Sequence, residues 1–278
     1  MIALCFFGIT RSLKYTFKSI QEKIFRVLQQ NNIEYEIFLH TYKVDKYRNI
    51  RVPSERFAKL DNEEYSLLQA NYVQVDNQDE IKRLLHLEQY RTHPDPWKTN
   101  YNSVDNFILA QYSKKQIMDM IKKTSNQYEY TIFLRPDVEY LDPIPIKYLQ
   151  YATDNTIIIP NFQLSNKIND RFAITNTRVS NIYGNIFDSL LTLSKKYQLH
   201  SEAILGIILQ NENIKLHYVS FIFRRIRING IIDPKDIKLR CKSNYDTILL
   251  LPKVMKLQIV IARFKEKFEW IKPYKDIA

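Results

Sequence analysis

Apolar side chains along the first 230 residues follow two periods that alternate in chain order. Short runs of branched and aromatic residues predict strands at residues 1–7, 33–40, 72–75, 130–134, 156–160, 169–176 and 216–223. Apolar residues at three- and four-residue spacing predict helices at residues 11–31, 78–90, 103–123 and 178–198. This alternation predicts an α/β fold, with a mainly parallel sheet flanked by helices on both faces.

The strand at residues 130–134 ends directly in a group of charged side chains, Arg135, Asp137 and Glu139. Ligands of open α/β sheets bind at the carboxyl ends of the strands. Asp137 and Glu139 are two residues apart in extended chain, so they point to the same side and are candidate ligands of one divalent cation. Arg135 is a candidate ligand of phosphate or carboxylate. The alternative is that all three are ordinary loop charges at a strand end.

The first predicted strand ends at Gly8, and a helix follows. Arg11 lies at the start of that helix, where free backbone N–H groups favour phosphate. The order resembles the opening of a nucleotide-binding unit, but a single glycine is not the dinucleotide-binding fingerprint. His40 closes the second strand, where it either contacts a ligand or makes structural hydrogen bonds.

The helix predicted at residues 103–123 has an apolar face and an outer side that carries lysines. Phe107 and Ile117 belong to the apolar face, while Lys114 and Lys115 are expected on the outside.

Composition indicates a globular chain in a reducing compartment. Its 278 residues are 45% hydrophobic and 26% charged, which suits one large α/β domain, alone or with an appendage. Two cysteines, Cys5 and Cys241, give no disulfide framework. No stretch approaches the roughly 18 apolar residues of a membrane-spanning helix, and residues 2–7 are too short for a signal peptide. We therefore expect a cytoplasmic protein that is soluble or peripherally associated with a membrane.

Positive charge is concentrated after residue 214. Fifteen Lys or Arg residues against six Asp or Glu residues give this part +9 of the total +11. We divide the chain into a domain at residues 1–230 and a basic extension at residues 231–278. An amphipathic basic helix is predicted at residues 252–270, which either packs on the domain or lies on anionic membrane. Basic segments also attract nucleic acid.

Several catalytic classes are disfavoured because their motifs do not occur. The sequence contains no phosphate-binding GxxxxGK[ST] loop, no HExxH or paired CxxC zinc motif and no GxSxG elbow. The candidate residues that remain are a metal-capable acidic pair, basic residues for phosphate and further carboxylates downstream. They fit transfer of a sugar from a nucleotide diphosphate, in which a metal neutralises the leaving diphosphate and a carboxylate deprotonates the acceptor hydroxyl. Glu202 is the favoured base, in an inverting reaction, and Asp170 the favoured ligand of sugar hydroxyls. Alternatively, Glu202 complements a helix dipole and Asp170 is a turn residue.

The order of five short motifs resembles the GT-A-type nucleotide-sugar glycosyltransferases. In particular, it is similar to small glycosyltransferase-like proteins of large DNA viruses and some bacteria. The motifs cover roughly residues 1–220 and are Gly8-Ile9-Thr10-Arg11, Phe38-Leu39-His40-Thr41, Arg135-Pro136-Asp137-Val138, Asn169-Asp170-Arg171-Phe172-Ala173 and Ser201-Glu202.

This resemblance implies a Rossmann-like GT-A domain that takes a UDP- or GDP-sugar donor, Mn²⁺ or Mg²⁺, and a glycan acceptor. Asp137 and Glu139 would match the Asp-x-Asp metal motif, although the second acid here is Glu. Phe7, Gly8 and Arg11 would contact the nucleotide. If the protein is viral, its expected location is the host cytoplasm. Two competing hypotheses remain: a non-catalytic basic protein that binds nucleic acid or membrane, and an inactive transferase fold acting as a scaffold.

Overall fold

The computed structural model describes residues 1–45, 47, 52, 55 and 58–239, and the backbone of residues 247–249. The strands are β1 (Ile2–Phe7), β2 (Tyr35–Lys43), β3 (Tyr72–Asn77), β4 (Tyr130–Leu134), β5 (Val138–Tyr140), β6 (Thr156–Pro160), β7 (Ala173–Asn176), β8 (Lys215–Val219), β9 (Phe223–Arg225) and β10 (Thr247–Leu249).

Helices cover both faces of the sheet that these strands build. They are α1 (Leu13–Ile20), α2 (Arg26–Gln30), α3 (Gln78–Leu84), α4 (Asn102–Lys123), α5 (Thr177–Gly184), α6 (Phe187–Ser194) and α7 (Ser201–Asn211). A π-helical segment, Gln21–Phe25, joins α1 to α2, and short 3₁₀ helices occupy Glu64–Leu68, Leu87–Tyr90 and Ile146–Tyr151. Within the described ranges, no helix is long and apolar enough to cross a membrane.

The main sheet has eight strands in the order β10-β8-β6-β7-β4-β1-β2-β3. Strands β4, β1, β2 and β3 run parallel to one another, as do β6 and β8, whereas β7 and β10 run antiparallel to their neighbours. Strands β5 and β9 form a separate antiparallel pair. This arrangement confirms the predicted α/β class with a mainly parallel, Rossmann-like sheet. The predicted basic helix at residues 252–270 and Cys241 lie outside the described residues.

Strand β1 shows why the sheet needs helices on both sides. All six of its residues are buried, because side chains that alternate between the two faces meet a different apolar layer on each. Cys5 and Phe7 pack in the cluster that contains α4, whereas Leu4 and Phe6 pack in the cluster that contains α1. The core is therefore two layers, one on each face of the central strands.

The antiparallel direction of β7 brings its beginning to the edge where the central strands end. Ala173 opens β7 beside Phe133, near the end of β4. Residues just before β7 therefore lie beside those just after β1 and β4. This places the Asn169-Asp170-Arg171 segment and the Arg135-Pro136-Asp137 segment along one carboxyl edge of the sheet.

Candidate functional site at the carboxyl edge of the sheet

Asp137 is the centre of an ion cluster immediately after β4. Its Oδ1 accepts a hydrogen bond from Arg135 Nε at 2.8 Å, and its Oδ2 accepts one from Arg135 Nη2 at 2.7 Å. Arg11 Nη2 also donates to Oδ2, at 2.7 Å. Burial alone would raise the pKa of the Asp137 carboxyl, but the charges of Arg135 and Arg11 outweigh it and hold the pKa well below its usual range. The side chain is 1% exposed, so Asp137 is a buried, ionised carboxylate held by two guanidinium groups.

Glu139 lies in a different ion pair, on the β5–β9 ribbon. Arg224 donates to its Oε2 through Nε at 3.0 Å and Nη2 at 2.5 Å, and Glu139 lies opposite Arg224 in the strand register. The expectation that Asp137 and Glu139 face one cation together does not fit this geometry, because each carboxylate is directed to its own arginine.

A divalent cation was the predicted ligand of these two acids. Both oxygens of Asp137 accept hydrogen bonds from cations, and a dication at Asp137 would meet the positive charges of Arg11 and Arg135 at close range. Among the residues that the structure describes, no group of three or more His, Cys, Asp or Glu side chains is arranged to hold a metal ion. The donor set at Asp137 therefore does not fit Mn²⁺ or Mg²⁺.

Lys114 of α4 is buried, so the prediction that it lies on the outside of the helix is wrong. It is 1% exposed, with its ammonium group 3.8 Å from the centroid of the Tyr183 ring and 5.5 Å from that of Phe7. The spacing contains the missed signal. Phe107, Gln111, Lys114 and Met118 succeed one another at intervals of four, three and four, and all four are buried. A lysine on the apolar face of a helix is a candidate functional residue because its charge has to be desolvated.

Burial lowers the pKa of Lys114 to about 7, and the negative charge of Asp170 opposes that shift. Asp170 precedes β7, is half-buried, and its backbone carbonyl accepts a hydrogen bond from the Tyr183 hydroxyl at 3.1 Å. Within the described part of the chain, neither the Lys114 ammonium nor the Asp170 carboxylate makes a hydrogen bond or an ion pair. Two opposite charges therefore lie within electrostatic range of each other without pairing directly.

Glu202, in the first turn of α7, is a second acid near Asp170. Its side chain is 11% exposed, and its Oε2 accepts a hydrogen bond from Ser201 Oγ at 2.5 Å and lies 3.3 Å from His200 Nδ1. Burial, followed by the negative charge of Asp170, raises the pKa of Glu202 to about 7. Trp97, in the loop that contains Pro94 and Pro96, stacks on His200 with ring centroids 4.9 Å apart. Glu202 and Asp170, the two predicted catalytic acids, thus lie within electrostatic range of each other.

Arg171 adds a second cation beside these acids. Its Nη1 donates to Gln163 Oε1 at 3.0 Å. Burial lowers the pKa of its guanidinium group, while the charges of Asp170 and Glu202 raise it and that of Arg135 lowers it. The carboxyl edge therefore joins the Arg135–Asp137 cluster to a second group, consisting of Lys114, Asp170, Arg171 and Glu202.

The predicted nucleotide contacts in β1 and β2 have structural roles in this fold. Gly8 adopts φ +91°, which favours glycine, and its backbone N–H donates to Ser113 Oγ at 2.9 Å. His40 is fully buried, with Nδ1 2.9 Å from Ser113 Oγ and Nε2 3.0 Å from Asp76 Oδ2. Because both ring nitrogens have protein partners, His40 does not fit the predicted ligand contact. Phe7 is 3% exposed and packs against Lys114 instead of offering a free face.

The arginines in β9 and just after it are neutralised by acids. Arg225 donates to both oxygens of Asp236, at 2.8 and 2.6 Å, and Arg227 pairs with Asp233. Together with the Arg224–Glu139 pair, these contacts leave no row of unpaired arginines at 224–227 for a nucleic-acid backbone. The basic extension, on which the nucleic-acid hypothesis also depends, lies largely outside the described residues.

Comparisons with known proteins come from structure alone, since no protein-family model and no curated protein matches the chain. The chain is similar to a galactosyltransferase, LgtC, in complex with donor and acceptor sugar analogs, with 11% identity, a TM-score of 0.43 and coverage of 79% of this chain and 73% of that one. A glycosyltransferase involved in glycosylation of the major capsid of PBCV-1 matches at 10% identity and TM-score 0.33, over 68% and 66% of the two chains. A protein from Bacillus anthracis, provisionally named a glucose-1-phosphate thymidylyltransferase, matches at 10% identity and TM-score 0.37, over 81% and 89%. Likeness at this level does not establish a family or an activity.

Proposed function

We propose that this protein is a GT-A-type glycosyltransferase that moves a sugar from a nucleotide-diphosphate donor to a hydroxyl group of a glycan acceptor. The observation that carries the proposal is that Glu202 and Asp170 lie within electrostatic range of each other at the carboxyl edge of the sheet, where the charges of Lys114, Arg135 and Arg171 also act. Parallel α/β sheets bind ligands at that edge. Cations beside buried acids suit a substrate that carries both phosphates and hydroxyls.

Glu202 has the properties that a general base needs at neutral pH. Its pKa of about 7 lets it be unprotonated in part of the molecules while remaining basic enough to accept a proton. In the proposed step, the acceptor oxygen forms a bond to the anomeric carbon and gives its proton to Glu202. The bond from that carbon to the diphosphate oxygen breaks, and the diphosphate leaves with the electron pair. Attack from the face opposite the leaving group inverts the configuration of the sugar.

Asp170 suits the second role, which is to bind sugar hydroxyls. A half-buried carboxylate that makes no hydrogen bond to the described residues can accept hydrogen bonds from a substrate. Its charge also raises the pKa of Glu202, so Asp170 sets the proton affinity of the base as well as orienting the sugar. The order of the short sequence motifs, which resembles GT-A transferases, supports the same assignment.

Contact of the basic extension with anionic membrane stays a prediction, because that helix lies outside the described residues. A UDP- or GDP-sugar is the donor class that we propose.

The experiment is a turnover assay with a panel of UDP- and GDP-sugars and a mixture of oligosaccharide acceptors. It follows release of the nucleoside diphosphate together with the mass of the product. The test variant is Glu202→Gln, and its matched control is Glu212→Gln, which follows the same helix and pairs with the exposed Arg178. We expect turnover in the wild type and in Glu212→Gln, and a loss of about 100-fold or more in Glu202→Gln. Equal turnover in the two variants would remove Glu202 as the base, and no turnover with any donor would refute the proposal.

A further inference from the structure

On the cationic side of the site, Asp170 is within electrostatic range of both Lys114 and Arg171 but forms a direct ion pair with neither. Lys114 is buried in an aromatic setting, and Arg171 makes no ion pair to the residues that the structure describes. Burying an unpaired cation is unfavourable for folding, so such groups are retained where a ligand uses them.

We propose that the diphosphate of the donor binds directly to Lys114, Arg135 and Arg171, so that this site holds nucleoside diphosphates without a divalent cation. This inference rests on the proposed function, since it concerns how the same site binds its donor.

The first argument is the state of the acid that would otherwise hold a metal. Asp137 is 1% exposed, and both of its oxygens accept hydrogen bonds from Arg135, with a further one from Arg11. Binding a dication there requires breaking these charge-assisted hydrogen bonds and placing two guanidinium groups beside the new positive charge. The same arginines therefore oppose a metal and favour an anion.

The second argument is the hydrogen-bonding capacity that remains. A guanidinium group carries five N–H donors in a planar fork, which matches phosphate oxygens. Arg135 donates to Asp137 through Nε and Nη2 only, and its side chain is 28% exposed. Arg171 donates to Gln163 through Nη1. Each arginine thus retains donors that no described residue accepts.

The third argument is the position of Lys114. Its ammonium lies over Tyr183 and near Phe7, the last residue of β1, so it sits at the carboxyl edge under the end of the central strand. Arg135 follows β4, the neighbour of β1, and its charge reaches Tyr183 as well. Lys114 from α4 and Arg135 from the end of β4 therefore both act on Tyr183, the first by direct contact and the second through its charge, and a diphosphate between the two cations would supply negative charge to both.

Isothermal titration of the full chain with UDP and with GDP tests this inference, in buffer containing EDTA and in buffer containing Mn²⁺. The variants are Lys114→Met and Arg171→Gln, with Lys115→Met and Arg178→Gln as matched controls. Lys115 neighbours Lys114 but pairs with Asp119 in an accessible position, and Arg178 pairs with the exposed Glu212. A thermal melt of each variant verifies folding.

We expect a nucleoside diphosphate to bind in EDTA with an affinity that Mn²⁺ changes by less than about three-fold. Each test variant should weaken binding by roughly ten-fold or more, as the loss of a charge-assisted hydrogen bond requires, while the controls should bind as the wild type does. Binding that appears only with Mn²⁺ would overturn the inference and leave the proposed function standing. Binding by folded test variants at wild-type affinity would also overturn it. Binding of neither nucleotide under either condition would refute both proposals.

Discussion

Arg135 forms a bidentate ion pair with Asp137, in which Nε and Nη2 donate to the two different carboxylate oxygens at 2.8 and 2.7 Å. A two-point contact fixes the orientation of the guanidinium group relative to the carboxylate. Asp137 is therefore best understood as a residue that positions arginines, and this changes what its substitution should do.

Replacing Asp137 should destabilise the fold. Asp137→Ala leaves Arg135 and Arg11, both partly buried, without their shared counter-charge, and breaking a buried pair of this kind costs about 3 kcal/mol or more. Because the folded pKa of Asp137 is depressed, this contribution is complete above the ordinary carboxyl value of 3.8 and is lost as the pH falls below it. Urea denaturation at pH 7 measures the change.

Glu139→Ala is the matched control for that measurement. Glu139 pairs with Arg224 in a position where its side chain is 33% exposed, so the loss should be about 1 kcal/mol or less. Equal stability of the two variants would show that the Asp137 cluster is not a structural anchor.

Replacing Lys114 should stabilise the protein while weakening its ligand binding. The folded pKa of about 7 lies below the ordinary value of 10.5, so the unfolded chain binds more protons and the free energy of unfolding falls as the pH decreases from about 10.5 to 7. Lys114→Met removes this penalty and should raise the free energy of unfolding at pH 7 by a few kcal/mol, at about 1.4 kcal/mol per pKa unit. Lys115→Met should change it by about 0.5 kcal/mol or less. A destabilised Lys114→Met variant would show that the lysine has a structural role.

The pH dependence of turnover should follow Glu202. A base acts in its unprotonated form, so the rising limb of kcat/KM should have its midpoint near 7, the raised pKa of this carboxyl. Lys114 binds the donor in its charged form and its pKa is also about 7, so a falling limb at higher pH should follow the loss of its proton. Asp170→Asn removes a negative charge that raises this pKa, so the midpoint should move to lower pH in the residual activity. His200→Gln should keep the wild-type midpoint, which separates Glu202 from the neighbouring imidazole. A midpoint that moves with His200 and not with Asp170 would assign the titration to the histidine.

His40 should matter for stability and not for donor binding. Both of its ring nitrogens lie within hydrogen-bonding distance of protein partners, and Ser113 connects it to the backbone of Gly8. His40→Ala should therefore lower the free energy of unfolding by about 2 kcal/mol or more, with the affinity for nucleoside diphosphate unchanged in the folded fraction. A selective loss of affinity would restore the ligand role predicted from sequence.

The layered architecture was predictable because period-two and period-3.6 patterns alternate strongly along residues 1–230. Sequence also indicated the edge, since Arg135 and Asp137 follow an apolar strand directly and Glu202 opens a helix. The direction of β7 was not predictable, and it is what brings Asp170 and Arg171, which precede a strand, to the edge where other strands end.

Which acid pairs with which arginine could not be predicted from the sequence. Asp137 and Glu139 have the spacing of a shared site, but Asp137 also pairs with the distant Arg11, and the partner of Glu139 is the distant Arg224. Alternation along a strand determines only the side to which each side chain points. The residue with which a charged side chain pairs depends on which segments the fold brings together. Lys114 was missed for a different reason: a lysine suggests solvent, although its spacing from Phe107 and Met118 placed it on the buried face.

A crystal soaked with the best-binding nucleotide sugar and Mn²⁺, recorded at a wavelength where manganese scatters anomalously, tests the central claim most directly. We predict diphosphate oxygens within hydrogen-bond distance of Lys114 Nζ and the Arg171 guanidinium, with Asp137 still held by Arg135 and no manganese peak beside it. A manganese ion bound jointly by Asp137 and the diphosphate, with Arg135 displaced, would contradict it.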